Sequence, residues 1–255
     1  YLHNAEDQLR GEAATLPFFS DGQFTNPMVL RVPGLAYQKG FGGHFHNDNS
    51  LTIFRDIPGV ILAVPSNGAD AVKMLRTAVR QAYENGRVIV FVEPIALYMK
   101  KDLHNAKDGK WNFNYPDLDK EILLGEFAEY GHGKSLTIIT YGNGLYFSLQ
   151  AQKEIEKKLK KKIKVIDLRW LSEIDIPKLL KAIGTCKNVL IVDECRKTGC
   201  HGEGLFTQLV SKSKKPIKIK LHAAEDSFIS LGVAATVTLP SKESIIENAL
   251  ELVNG

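Results

Sequence analysis

Two continuous apolar runs limit most strongly what this chain can fold into: Val60-Ile61-Leu62-Ala63-Val64 and Val88-Ile89-Val90-Phe91-Val92. Neither alternates polar with apolar residues, so each reads as a strand covered on both faces. Pro65 and Ser66 stop the first run. Residues 68–84, between the runs, carry helical periodicity, with Val72, Leu75, Val79 and Tyr83 along one apolar face. Asn67 or Ser66 can cap that helix, Asp70 suits its positive first turn, and Gly86 ends it. Strand, helix, strand in this order predicts a parallel crossover unit.

The rest of the chain repeats this grammar. Residues 1–16 read as a helix with Leu2, Leu9, Ala13 and Ala14 inward and Pro17 ending the pattern. Residues 26–32 read as a buried strand bounded by Pro27 and Pro33. Residues 100–134 turn polar and lose periodicity, which places a domain boundary in their second half. From Ser135 the alternation resumes. Strands are predicted at 136–140, 165–168, 189–192 and 217–221, and helices at 144–160, 176–183, 203–212 and after Pro240, with Ser241 as cap. The expected architecture is α/β, with two three-layer domains: a partial one over 1–125, a linker over 126–134, and an open, doubly wound domain over 135–255. The chain opens Tyr1-Leu2-His3 with no Met, so we expect a fragment whose natural start lies upstream.

Composition narrows the classes. No run approaches the length needed to span a membrane, and no basic start with an apolar centre marks a signal peptide. The net charge of +4 owes much to the lysines between Lys157 and Lys164. They read as the solvated end of an amphipathic helix; no aromatic residues interleave there as a nucleic-acid platform would need. Three cysteines, Cys186, Cys195 and Cys200, suggest a reducing compartment. Their spacing lacks the second ligand pair of a zinc site.

Chemistry concentrates in Gly42-Gly43-His44-Phe45-His46-Asn47-Asp48-Asn49-Ser50, where two histidines, a carboxylate and two amides share nine residues. Such density reads as a loop carrying a site on a rigid scaffold. Glu93, before Pro94 at a strand end, reads as a structural salt bridge or cap. Asp193-Glu194, at another strand end, could be structural or functional. Arg196 to Gly204 reads as a tight, glycine-rich turn.

Several stretches then resemble a known family. Asn26-Pro27-Met28-Val29-Leu30-Arg31-Val32, the histidine-bearing loop, the run from Ile57-Pro58-Gly59 to Pro65-Ser66, and Val90-Phe91-Val92-Glu93-Pro94 resemble the pyrimidine-binding domain of transketolase-like enzymes. Thr140-Tyr141-Gly142, the run from Val165 to Ser172, Val192-Asp193-Glu194 and the run from Thr198 to Gly204 resemble the transketolase C-terminal-type domain that follows it. The subfamily that the chain resembles is the beta subunit of the thiamine diphosphate-dependent decarboxylating component of 2-oxo acid dehydrogenases. The loop from His44 to Ser50 and the run from His222 to Phe228 are similar to the variety whose alpha and beta halves are fused, associated with branched-chain (2-oxoisovalerate) substrates.

The resemblance implies oxidative decarboxylation of a 2-oxo acid, with acyl transfer to lipoamide on a partner lipoyl acyltransferase core. It implies thiamine diphosphate and Mg2+, both bound mainly by a missing or partner segment, an alpha-type diphosphate-binding half or subunit, and a homodimer or alpha2beta2-like assembly. No nucleic-acid or membrane partner is expected, and no metal ligand in this chain. The setting would be bacterial cytoplasm or mitochondrial matrix. His46 aligns with the family's active-site histidine, with His44 the alternative; an imidazole can bond a substrate carboxylate or move a proton. Tyr1 falls where the family has an aromatic residue beside the aminopyrimidine ring. Asp48 either orients an imidazole or forms a turn. Pyruvate or acetoin dehydrogenase beta subunits, and a non-catalytic assembly fragment, are the alternatives; transketolase and deoxyxylulose-phosphate synthase share the fold but fit the His46 loop less well. The family's cofactor-activating glutamate lies upstream of the matched region, and its Gly-Asp-Gly diphosphate motif is absent. Its potassium position here reads Gln81-Ala82-Tyr83-Glu84-Asn85-Gly86, altered in length and chemistry.

Overall fold

The computed structural model describes residues 2–38 and 43–255, the side chains of 43 and 44 excepted. β1 (Met28–Gly34), β2 (Val60–Ala63) and β3 (Val88–Pro94) form a parallel sheet in the order β1-β3-β2. α1 (Gly68–Asn85) is the crossover from β2 to β3. Asn67 caps it by accepting from the Asp70 backbone N–H. Gly86 ends it in the left-handed region at φ 62, where an added Cβ would lie 2.6 Å from Thr25.

The buried face of α1 is rotated from the apolar face that periodicity picks out, of which Leu75, partly buried, still packs against the core. Met74, Ala78 and Ala82 pack with Ile61, Ala63, Ile89 and Phe91, whereas Val79 is 54% and Tyr83 88% exposed. Close packing of helix on sheet selects the stripe with two alanines over the stripe that ends in a tyrosine.

Two other expectations shift. β1 is an edge strand of alternating exposure rather than a buried one, and Pro33 lies within it, as an edge strand allows. Pro17 does not close the N-terminal helical segment. That segment is a chain of short turns, and Pro17 sits in the first turn of the last one, Leu16–Phe19, where it forfeits no hydrogen bond. Leu9 and Ala13 are buried as expected, against the face of the sheet opposite α1.

The second sheet has β4 (Ala128–Tyr130), β5 (Thr137–Thr140), β6 (Lys164–Asp167), β7 (Asn188–Arg196) and β8 (Lys218–Ala224), in the order β4-β6-β5-β7-β8. All pairs are parallel except β4 with β6. β4 lies within residues 126–134; three residues without an apolar run leave no periodic signal. α2 (Asn143–Leu159), α3 (Ile176–Ile183), α4 (His201–Lys212) and α5 (Lys242–Asn254) cover the sheet. Ile138, Val165 and Leu190 pack with α2 and α5, while the next residue of each strand packs with α3 and α4. Successive strand residues point to opposite faces, so one short run feeds both layers. A Ser241 capping box starts α5. No helix among the described residues is long and apolar enough to cross a membrane.

The two domains share backbone as well as core. The segment after β6 lies along the free edge of β2: Leu171 N–H donates to Leu62 O at 2.8 Å, Val64 N–H to Arg169 O at 2.8 Å, and Leu62 N–H to Ser172 Oγ at 2.9 Å. Arg169 pairs with Asp70 at 2.6 Å, and Ser66 Oγ donates to buried Asp167 at 2.9 Å. The second domain thus satisfies the edge that β2 would otherwise leave open.

Candidate functional site

The histidine-bearing segment is a single helical turn, Gly43–His46, followed by a tightly bonded loop. Asn47, Asn49 and Ser50 are buried, and buried polar groups need partners. Asn47 Nδ2 donates to Gln38 O at 3.2 Å, and Asn49 Nδ2 to Glu194 O at 2.7 Å. Arg196 Nη1 donates to Asn49 Oδ1 at 3.1 Å. Asp48 Oδ1 accepts from the Ser50 N–H at 2.9 Å, an Asx turn, while Asp48 Oδ2 stands 3.3 Å from His3 Nε2. Asp48 therefore forms the turn, and the imidazole beside it is that of His3. That nitrogen also lies 3.1 Å from Ser50 O. His3 was not singled out in the sequence, because its contact comes from an element 45 positions away from Asp48.

His46 projects from this frame with an exposed side chain. It borders a cleft of about 50 Å³ with His3, Asp48, Leu35, Phe54 and Val92. This cleft lies at the carboxyl end of β1, where ligands approach open α/β sheets. The side chain of His44, and Tyr1 altogether, lie outside the described residues. A second cavity, of about 330 Å³, lies at the carboxyl ends of β2 and β3, between Asn67, Trp111 and Phe113. Glu93 borders it, with Arg31 Nε donating to it at 2.7 Å and Tyr98 Oη at 2.6 Å. The Glu93 carboxylate is the expected structural salt bridge; despite burial, these two partners hold its pKa below the usual carboxylate range.

The second sheet has its own topological switch point between β5 and β7, and it is closed. Gly142 follows β5 at φ 55, and a Cβ there would meet Glu194, Val64 and Leu35 at 3.2–3.3 Å. Val64 and Leu35 come from the first domain, so that domain fills the crevice. β7 runs past its apolar core, so Asp193, Glu194 and Cys195 belong to the strand and are buried. Asp193 accepts from Tyr141 Oη at 2.5 Å and from the Cys195 and Gly202 N–H groups at 2.8 Å each. Asn143 Nδ2 donates to both Glu194 oxygens at 3.0 and 3.1 Å. Burial pushes the Glu194 carboxyl up to about 8, so it carries a proton at neutrality. Burial likewise holds His201 down to about 4. The structural reading of Asp193-Glu194 is thereby favoured over direct contact with a ligand.

Residues that could hold a bound group divide along the same line. Apolar Leu35, Phe54 and Val92 beside an exposed imidazole suit one face of a small heterocycle. Among the described residues no group of three or more His, Cys, Asp or Glu side chains is placed to hold a metal ion.

Comparison with known proteins fits this architecture. Residues 125–237 match the family model of the transketolase C-terminal domain. The chain is 25% identical over 264 residues to the pyruvate dehydrogenase E1 component subunit beta of Bacillus subtilis, covering 99% of this chain and 73% of that protein. The same subunit of Staphylococcus aureus is 27% identical over 258 residues, covering 98% and 73%. A solved structure, a split gene transketolase described as an inactive beta4 tetramer, superposes with TM-score 0.66 and 16% identity over 89% of this chain and 67% of that one. The fold is transketolase-like, with two α/β domains, and the two sequence relatives just described are E1 beta subunits.

Proposed function

We propose that this chain is the beta-type part of a thiamine diphosphate-dependent 2-oxo acid dehydrogenase that acts on a branched-chain 2-oxo acid and passes the acyl group to lipoamide of a partner acyltransferase. The observation that supports this most is the similarity to E1 beta subunits along 98–99% of the chain. Those relatives are named for pyruvate, so pyruvate is the second reading.

Thiamine diphosphate, when bound, supplies the carbanion chemistry. This chain would supply one wall: the apolar cleft beside His46, with Tyr1 as an aromatic neighbour of the heterocycle. The diphosphate and Mg2+ would be held by an alpha-type partner. His46 stands at the rim of the cleft and would bond a substrate carboxylate or transfer a proton to lipoamide. Asn47, Asn49 and the Asp48 turn hold the loop that carries it. His44 remains the alternative imidazole on the same turn.

The test is reconstitution with an alpha-type half, thiamine diphosphate and Mg2+, followed by steady-state rates on 3-methyl-2-oxobutanoate and pyruvate. The expected result is a higher kcat/KM for the branched substrate; a preference for pyruvate replaces the first reading with the second, and no turnover of either by a folded assembly rejects both. His46→Ala should lower acyl transfer by about 10²-fold or more while thermal unfolding stays unchanged.

A further inference from the structure

The fold gathers lysines that are far apart in sequence. Helices that follow parallel strands run back and end at the amino edge of the sheet, opposite the site described above. In the second domain α2, α3 and α4 all end there. The loops beyond α3 and α4 enclose an open cleft of about 820 Å³. Lys181, Lys187, Lys212, Lys214 and Lys215 line it, and no acidic residue does. None of these five ammonium groups has an ion-pair partner among the described residues. Lys181 and Lys212 sit in the last turns of their helices, where they offset the negative helix ends. Lys187, Lys214 and Lys215 lie beyond the helices and have no such duty. Between the lysines the cleft is apolar, with Leu180, Ile183 and Ile217 in its lining.

We propose that this cleft docks an acidic amphipathic segment of a partner protein, with carboxylates on the lysine rim and aliphatic side chains on the Leu180–Ile217 floor. Charge complementarity selects an acidic occupant, and the apolar floor selects one with an aliphatic face. A compact phosphate is disfavoured. The floor lies where two helices end, and helix carboxyl ends repel anions that amino ends attract. Nucleic acid is disfavoured too, because no aromatic residue and no arginine lines the cleft. The proposal stands apart from the reaction, since the cleft and the His46 loop lie at opposite edges.

The test is fluorescence anisotropy on the full chain with a labelled synthetic helix of glutamates carrying leucines at i, i+3, i+4 and i+7. Binding should weaken about tenfold or more in the Lys187→Glu/Lys214→Glu/Lys215→Glu variant, and also as salt is raised. A control, Lys101→Glu/Lys110→Glu/Lys153→Glu, changes net charge equally at other exposed lysines and should bind as the parent does. Replacing the peptide's leucines by serine should also abolish most of the affinity. Equal loss in both lysine variants, undiminished binding of the serine peptide, or tighter binding of oligothymidylate or tripolyphosphate would overturn the proposal. Far-UV circular dichroism of each variant checks that the loops, not the fold, were changed.

Discussion

The carboxyl edges of the two sheets share a topology and differ in every physical property that matters for a site. At the first sheet the edge is open: His46 is exposed, and a cleft faces solvent. At the second sheet the equivalent crevice is filled by Leu35 and Val64 of the first domain, and its polar groups, Tyr141, Asn143, Asp193 and Glu194, are buried and bonded to one another. A doubly wound domain therefore offers a ligand crevice only where nothing else has taken it. Here the second domain's switch point has become a seam. Asn49 connects the two edges, since one side of its amide reaches Glu194 O and the other accepts from Arg196.

The comparison can be broken first at Asp193. Its oxygens accept three donors in a buried setting. Asp193→Asn turns one oxygen into an amino group facing a donor, and should cost about 3 kcal/mol in chemical unfolding. A loss below about 1 kcal/mol would mean that the seam is not the rigid edge. Next comes Glu194. Its folded pKa is raised to about 8, so the folded chain holds a proton that the unfolded chain has lost. Its contribution is complete below the unfolded glutamate pKa and disappears as pH rises through about 8. Stability of the parent minus that of Glu194→Gln should thus decline by up to about 1.4 kcal/mol per unit between roughly pH 5 and 8. A difference independent of pH would show that the carboxyl is solvated. Smaller than either is Asn49→Ala, which strands Glu194 O and loosens the loop, at about 2 kcal/mol. In a reconstituted enzyme it should also slow the His46-dependent step, and a variant equally unstable but fully active would separate anchoring from catalysis.

Periodicity located nearly every strand and helix, because each is long enough for its apolar pattern to repeat. It failed where one contact outweighed pattern. The wrong face of α1 was favoured because Tyr83 and Val79 are more hydrophobic than Ala78 and Ala82, yet only the small pair allows the helix to approach the sheet. β4 was missed because three residues carry no period. The density of polar residues around His46 was legible, and the bonds that position that loop were not. His3, Arg196 and Glu194 reach that loop from distant sequence, and one sequence carries no signal of such pairings.

The smallest effect is expected from the same substitution at the open edge, Asp48→Asn. An asparagine oxygen can still accept from the Ser50 N–H, so the turn survives. What is lost is the pairing with His3, between side chains 39% and 30% exposed, and a long contact with Arg196 at 3.9 Å. Solvent screens such a pair, and the change should cost less than about 1 kcal/mol and shrink further in salt. Asp48→Ala removes the turn as well and should cost more than Asp48→Asn. If instead Asp48→Asn destabilises the chain as much as Asp193→Asn does, the first edge is closed in solution, and the cleft beside His46 is a second seam rather than the wall of a site.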